Sequence, residues 1–331
     1  MTVEVTRCEN GHEWDQLLER SADSRVFHRS EFLASLERHS SGRLHRLVGY
    51  QGQEPVGVFP IFALSKGGVA ATFSPPPRMG VLFQGPVVFE TELMKQRKFE
   101  QRNDRFVSRC LDWIDETVGP RYERYCSPPG YTDVRPFSWA KYSVIPRYTY
   151  TVNLSREPNA IKRSFSRTPR RNLEKGDSIE IDADAGIDGI RFVHEQVTER
   201  YDAQGKTYSV PLEFLTDLYE RTADGTVRSY VARLEGEPMA GLVTFWTDDR
   251  VYFSEGGAKP DTSVPFNDHL HWRVMCDAVD GGLMEYDLQG ANTPRICRYK
   301  SKFNPTLRPY FEIEAGTPLT SLASKVYRTL R

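Results

Sequence analysis

The sequence predicts an α+β protein of two related halves in tandem, residues 1–146 and 147–331, each a mainly antiparallel sheet with helices packed on it. Three observations carry this. The 331 residues exceed the roughly 100–200 of a usual single domain. A hairpin pattern occurs twice: residues 44–62 read LHRLVGYQGQEPVGVFPIF and residues 227–245 read VRSYVARLEGEPMAGLVTF, about 183 positions apart. Each is an apolar strand, a polar turn with Glu-Pro, and a second apolar strand. An amphipathic helix precedes both hairpins, SEFLASLERHS with Phe32, Leu33 and Leu36 on one face, and PLEFLTDLYERTA with Phe214, Leu215, Leu218 and Tyr219 on one face.

After its hairpin the first half runs through Pro-rich segments at 74–80 and 83–88, expected as ordered turns because Pro restricts φ and breaks regular helix. A long helix is expected over 93–117, with Phe99, Phe106, Cys110, Leu111 and Ile114 inward, and then a strand over 122–126. The second half opens with an aromatic, β-branched strand at 147–154. Helices are expected at 157–175 and 186–203, and a third strand after the hairpin at 250–256. Pro265 suits the opening of the helix FNDHLHWRVMCDAV, having no N–H to leave unpaired there. Strands LMEYDL and RPYFEIE follow, then a short helix over 317–331 with Leu319, Leu322, Val326 and Leu330 inward and its basic residues in solvent.

Composition narrows the function classes. A net charge of −1 argues against a globally basic DNA binder and leaves room for a local basic patch. The five scattered cysteines have no metal-ligand spacing and an odd count, so reduced, mostly buried thiols are expected. No basic start leads into an apolar run, and no stretch approaches the ~20 apolar residues of a membrane span. A cytoplasmic protein without a transmembrane segment is the expectation.

Two clusters could carry chemistry. Between 162 and 175 lie Lys162, Arg163, Arg167, Arg170, Arg171 and Lys175, with Glu174 the one acid. On a helix Arg171 and Lys175, four apart, share a face and can grip phosphate or carboxylate; the alternative is a solvated charged surface. The second cluster, Arg295, Arg298, Lys300 and Lys302, follows Asp287 and Gly290. Lys300 suits stabilisation of charge developing on a carbonyl oxygen, or binding of donor phosphate. Asp287, at a strand end, suits taking a proton from an attacking amine, or capping a turn. Glu255, in SEGGA, is a competing carboxylate. Residues 198–214, with Arg200, Tyr201 and Tyr208, read as a loop walling an acceptor pocket.

Other motifs are excluded. Gly205-Lys206-Thr207 is not a P-loop end, since Arg200 stands where that motif needs glycine. His269 and His271 are two apart on a helix and face different ways, so no metal site is expected. There is no G-x-S-x-G elbow, and no Q/R-x-x-G-x-G/A loop follows the strand that contains Glu255.

The segment RYTYTVNLSREPNAIKRSFSRTPRRNLEKG at 147–176 resembles the Fem-like branch of the GNAT acyltransferase superfamily, which has a D/N-L-S strand end and then R-x-x-I-R-x-A-x-K-x-G. Arg171, Asn172, Lys175 and Gly176 fall on that pattern. The turn Glu235–Pro238, the strand end Tyr286-Asp287-Leu288-Gln289-Gly290 and the run Tyr299-Lys300-Ser301-Lys302-Phe303-Asn304 resemble its later signatures, although Asn304 replaces the usual Gly. The helical-hairpin insertion of longer members has no counterpart. The resemblance implies two tandem GNAT-like domains and transfer of an acyl or aminoacyl group to an amine on a larger acceptor, such as a cell-envelope precursor. The donor would be aminoacyl-tRNA or acyl-CoA, with no tightly bound cofactor. It implies Lys300 and Asp287 as catalytic, with Arg171, Asn172, Lys175, Arg200, Tyr201, Tyr208, Glu255, Gly290 and Lys302 holding donor or acceptor. Acyl-CoA-dependent N-acetylation and a non-catalytic RNA- or peptide-binding module remain as alternatives.

Overall fold

The computed structural model describes residues 2–21, 24–90, 94–175, 178–258 and 264–316. The expected helix over 317–331, and Gly176, lie outside the described residues. The first half runs β1 (Glu4–Arg7), α1 (Gly11–Leu18), α2 (Ser30–His39), β2 (Arg43–Gln51), β3 (Glu54–Lys66), β4 (Val69–Ser74), β5 (Val87–Val88), α3 (Gln96–Thr117), β6 (Tyr122–Cys126) and α4 (Arg135–Trp139). The second runs β7 (Ser143–Asn153), α5 (Pro158–Ser164), α6 (Arg167–Leu173), β8 (Ile179–Asp182), α7 (Gly186–Asp202), α8 (Leu212–Arg221), β9 (Val227–Leu234), β10 (Glu237–Trp246), β11 (Arg250–Ala258), α9 (Phe266–Asp280), β12 (Glu285–Asp287), α10 (Pro294–Lys300) and β13 (Thr306–Gly316).

Local chemistry explains many of these limits. Asn10 starts α1 by accepting the N–H groups of His12 and Glu13, while Trp14 and Leu18 turn inward. Both expected hairpins form, β2–β3 and β9–β10, each preceded by its helix, α2 or α8. The α2 and α8 apolar stripes are buried through Phe32, Leu33 and Leu36 and through Phe214, Leu215 and Leu218.

The helical stretch expected over 157–175 forms as two short helices, α5 and α6. Phe165 leaves helical geometry and sets its ring 5.3 Å from Phe303 and 5.7 Å from Trp272. Ser166 N–H then donates to the Lys302 carbonyl at 2.8 Å, outside any helical ladder. Burying the ring outweighs continuity of a short, highly charged helix.

The chain divides into two compact units, Met1–Arg147 with Pro309–Arg331, and Tyr148–Arg308. A second half reaching unbroken from 147 to 331 is therefore not what forms. The chain returns to the first unit at Pro309 because β13 pairs antiparallel with β6, from Glu312 opposite Cys126 to Gly316 opposite Tyr122. In the first unit the strand order is β1-β2-β3-β4-β6-β13, and in the second β8-β9-β10-β11-β12-β7. The pairings match step for step. All are antiparallel except β4 with β6 and β11 with β12, which are parallel. The duplication extends from a helix–hairpin unit to the whole sheet; β13, late in the second half, completes the first sheet, and β7, which opens that half, completes the second.

The second unit's core gathers Val152, Tyr230, Leu242, Val251, Phe266, Leu270, Val274, Tyr286 and Phe303 between sheet and helices. Phe303 is fully buried and touches the rings of Phe165, Tyr299 and His271, so it ties the segment after α10 to α5 and α9. Phe303→Ala should lower stability by about 3–5 kcal/mol, the usual cost of removing a buried phenyl ring. Urea unfolding followed by tryptophan fluorescence checks this, and a loss under about 1 kcal/mol would show that the site collapses around the gap.

Candidate functional site

The second unit's sheet opens at one place. β11 pairs with β12 only over Arg250–Tyr252, opposite Glu285–Asp287, yet stays paired with β10 as far as Ala258. From Phe253 to Ala258, no strand among the described residues covers β11 on its β12 side. A parting of parallel strands leaves main-chain donors and acceptors of one edge to be satisfied by something else. Within this stretch β11 carries a bulge, with Phe253 opposite Thr244 and Glu255 opposite Val243, so the residue between them is extra. Bulges re-aim side chains. Gly256 lies at φ 131°, and a β-carbon there would stand 2.3 Å from the Gly241 carbonyl oxygen. Only glycine lets the bulged strand approach β10 so closely.

Two groups of polar side chains flank the parting, one on β11 and one at the end of β12. The first surrounds Glu255, which is 6% exposed. Tyr208 OH donates a short hydrogen bond to Glu255 Oε2, while Oε1 is buried with no hydrogen-bond partner. Tyr208 packs its ring 5.0 Å from Tyr201 and 5.5 Å from His194. Arg200 donates through both terminal nitrogens to the Gly256 carbonyl at 3.3 Å, anchoring the bulged strand to α7. Burial raises the Glu255 carboxyl above its ordinary range, against the opposing pull of Tyr208, His194 and Arg200.

The second group sits at the end of β12. Asp287 Oδ1 accepts from Thr149 Oγ1 at 2.5 Å and from the Gln289 N–H at 2.8 Å. Gln289 and Gly290 both adopt left-handed geometry, φ 52° and 55°. Lys300, 8% exposed, reaches back from the last turn of α10. Its ammonium donates to the carbonyls of Leu288 at 2.7 Å, Gln289, and Gly290 at 3.4 Å, over the face of Phe253 at 5.2 Å. Burial pulls its pKa down to about 8, with Asp287 opposing. Beneath it His271 is held neutral, its pKa lowered to about 3 by burial and then by Lys300.

Of the residues expected at a site, Glu255, Tyr208, Tyr201 and Arg200 come together, and so do Asp287, Gly290 and Lys300. The remainder separate from these by task. Asn172 is occupied in docking α6: its Nδ2 donates to Asp268 Oδ2 at 2.6 Å and its carbonyl faces His269 Nε2 at 3.0 Å. Arg171 is exposed on α6, but Lys175 lies past the end of that helix, so the shared helical face expected for the pair does not form. The helix stops at Leu173. Lys302 lays its ammonium over the Tyr299 ring at 5.5 Å.

The Ser166–Lys302 backbone bond brings the two basic clusters onto neighbouring elements. Arg163, Arg167, Arg170, Arg171, Lys175, Arg295 and Arg298 are exposed, and none forms an ion pair among the described residues. His194, Thr149 and Phe253 had no role assigned from sequence. The seven-residue spacing of His194 and Tyr201 on α7 was the available signal for the first of them.

Residues 162–301 match the family model described as Acetyltransferase (GNAT) domain. The matched stretch lies wholly within the second unit. The fold of the whole chain is similar to that of FemX (TM-score 0.72, 11% identity, covering 96% of this chain and 99% of that one). It is also similar to the C-terminal domain of a protein described as a lysylphosphatidylglycerol synthetase from Agrobacterium fabrum (0.59, 14%, 96% and 94%). A third similar structure is a tandem GNAT protein from the clavulanic acid biosynthesis pathway (0.50, 11%, 95% and 99%). The GNAT resemblance read from sequence therefore stands, as does the tandem α+β fold class. No protein of curated function matches the sequence. Among the described residues no helix is long and apolar enough to cross a membrane, and no three His, Cys, Asp or Glu side chains group as metal ligands.

The raised carboxyl of Glu255 gives a test with a definite sign. An acid whose pKa rises on folding contributes stability when protonated; that contribution is complete below the unfolded value of ~4.3 and is lost as pH climbs through the folded value. Glu255→Gln should therefore unfold at the same or a higher urea concentration than the parent at pH 8, and its stability should depend less on pH above ~4.3. Urea midpoints measured from pH 4 to 8 decide it. A clearly lower midpoint at pH 8 would mean that the ionised carboxylate stabilises the fold.

Proposed function

We propose that this protein is an N-acyltransferase that moves an aminoacyl group from charged tRNA to an amine on a larger acceptor, such as a cell-envelope precursor. The observation that carries the reading is the meeting, on one stretch of β11, of an uncovered strand edge and a buried carboxylate with a free oxygen. The edge offers main-chain groups to an extended acyl donor. Glu255 Oε1 offers an acceptor for an ammonium or amine, and a carboxyl raised by burial suits a group that accepts a proton from the attacking nitrogen.

In the proposed step the acceptor nitrogen attacks the ester carbonyl carbon, the bond from that carbon to the tRNA ribose oxygen breaks, and an amide forms. The proton lost by nitrogen passes to Glu255 and from there to the leaving oxygen. Tyr208 holds Glu255 from the other side, Arg200 holds the strand that carries it, and Tyr201 closes the wall behind Tyr208. Much of the rate gain would come from alignment alone. Asp287 and Gly290 shape the strand end. The exposed cations Arg171 and Lys175, with Arg298 and Lys302 nearby in the chain fold, suit a polyanionic donor. The names of two similar folds, FemX and a lysylphosphatidylglycerol synthetase, favour an aminoacyl group. The match to an acetyltransferase family model favours an acyl-CoA donor as the second reading.

Filter retention with charged tRNA, set beside calorimetry with acetyl-CoA, separates the two. On the first reading charged tRNA binds, binding weakens steeply with salt, and Arg171→Ala/Lys175→Ala loses at least about tenfold in affinity at low salt. Binding of acetyl-CoA alone would move the assignment to the second reading, and binding of neither would remove both. Where transfer is observed, Glu255→Gln should slow turnover by about 10²–10⁴-fold with little change in donor affinity.

A further inference from the structure

The two units meet the same structural problem at the parting of their parallel strands and solve it differently. In each, the pairing ends at one residue, Tyr125 in β6 and Asp287 in β12, and the next carbonyl is left at the mouth of the parting. In the first unit that carbonyl, of Cys126, accepts the Gln84 N–H at 2.9 Å. The loop supplying it is sealed in place. Gly85 N–H donates to Ser74 Oγ at 3.1 Å, Gln84 Nε2 donates to the Phe27 carbonyl at 2.5 Å, and His28 bonds the Gln84 carbonyl at 2.5 Å. A β-carbon on Gly85 would stand 2.7 Å from the Cys126 oxygen, so chain fills the opening.

In the second unit the matching carbonyl, of Leu288, accepts instead from the ammonium of Lys300 at 2.7 Å. A side chain reaching in from α10 does what a whole loop does in the first unit, and β11 beyond Phe253 stays uncovered. The ammonium has three N–H groups, and the carbonyls of Leu288, Gln289 and Gly290 take all three. Two successive left-handed residues turn those carbonyls toward one point, a cradle that needs a cation at its centre. With its donors used and only 8% of its surface exposed, Lys300 has none left to offer a reacting carbonyl oxygen.

We infer that Lys300 is a positioning residue, the built-in cation of a carbonyl cradle that holds the β12 turn and keeps the donor edge of β11 open. This replaces the role in stabilising a carbonyl oxygen that the sequence resemblance implies. The link to donor binding rests on the proposed acyl transfer; the cradle itself does not. By holding Gln289, Lys300 also fixes the N–H that orients Asp287.

The first measurement needs no substrate. In the wild-type protein with ¹⁵N-labelled lysine, one ammonium group should show slowed proton exchange with water, and that signal should vanish in Lys300→Met. Amide hydrogen exchange should then speed up by tenfold or more at Gln289–Ala291 in Lys300→Met and in Lys300→Ala, with methylammonium restoring protection to the alanine variant. Lys300→Arg should keep much of the protection. Unchanged exchange in the turn, or an ammonium exchanging as fast as a surface lysine's, would overturn the inference even if acyl transfer is confirmed. Where a donor is in hand, the loss in Lys300→Met should appear mainly in donor KM. A hundredfold or greater slowing of turnover, at constant KM and constant turn protection, would instead place the ammonium on the reacting carbonyl.

Discussion

The early end of one strand pairing organises the second unit. Parallel bonding between β11 and β12 stops at Tyr252 and Asp287, whereas antiparallel bonding between β11 and β10 runs on to Ala258. A sheet cannot leave buried polar backbone unpaired without cost, and side chains and turns take up groups at the vertex: Thr149 and the Gln289 N–H for Asp287, Lys300 for three carbonyls, Arg200 for Gly256. What stays uncovered is one stretch of strand edge with a bulge in it. Around that stretch are the features that make the unit a candidate acyltransferase centre.

The electrostatics of the two groups differ in kind. Lys300 is a buried cation with a full set of acceptors, so its charge is matched by main-chain dipoles and spent on structure. Glu255 is a buried carboxylate with one oxygen bonded to Tyr208 and the other unmatched. An unmatched buried acceptor is costly, and a ligand ammonium is the kind of group that would remove the cost. The first unit has no such tension at its own parting, where Gln84, Ser74 and His28 close a neutral hydrogen-bonded plug. The charged residues beside it are paired with one another, as in Glu312, opposite Cys126, which Arg124 and Arg147 hold down to about 2 despite its burial. The duplication therefore preserved the sheet and not the opening.

The basic surface adds a third feature on a different scale. Cations from α5, α6 and α10 stand in solvent without carboxylate partners among the described residues, in a chain whose net charge is −1. Like charges so close repel one another, which makes the surface attractive to a polyanion and sensitive to salt. Their proximity depends on Phe165 and Phe303, whose buried contact fastens the segment before α6 to the segment after α10.

By itself the sequence determined what depends on local pattern. Apolar strand runs joined by turns with Glu-Pro specified both hairpins, 3.6-residue periodicity specified α2, α3, α7, α8 and α9, and their repetition specified a tandem α+β fold. It also marked Asp287, Lys300, Glu255, Arg200, Tyr201 and Tyr208 as residues to watch. Tertiary structure decided the rest, because it rests on contacts between residues far apart in the chain. Pairing of β13 with β6 returned the chain from Pro309 to the first unit; the end of α6 at Leu173 took Lys175 off the helical face of Arg171. Convergence of three carbonyls turned Lys300 from a free cation into a clamp, and the bulge in β11 turned Glu255 toward Tyr208. Periodicity reports which face of an element is buried, but not which donor meets which acceptor once burial has brought them together.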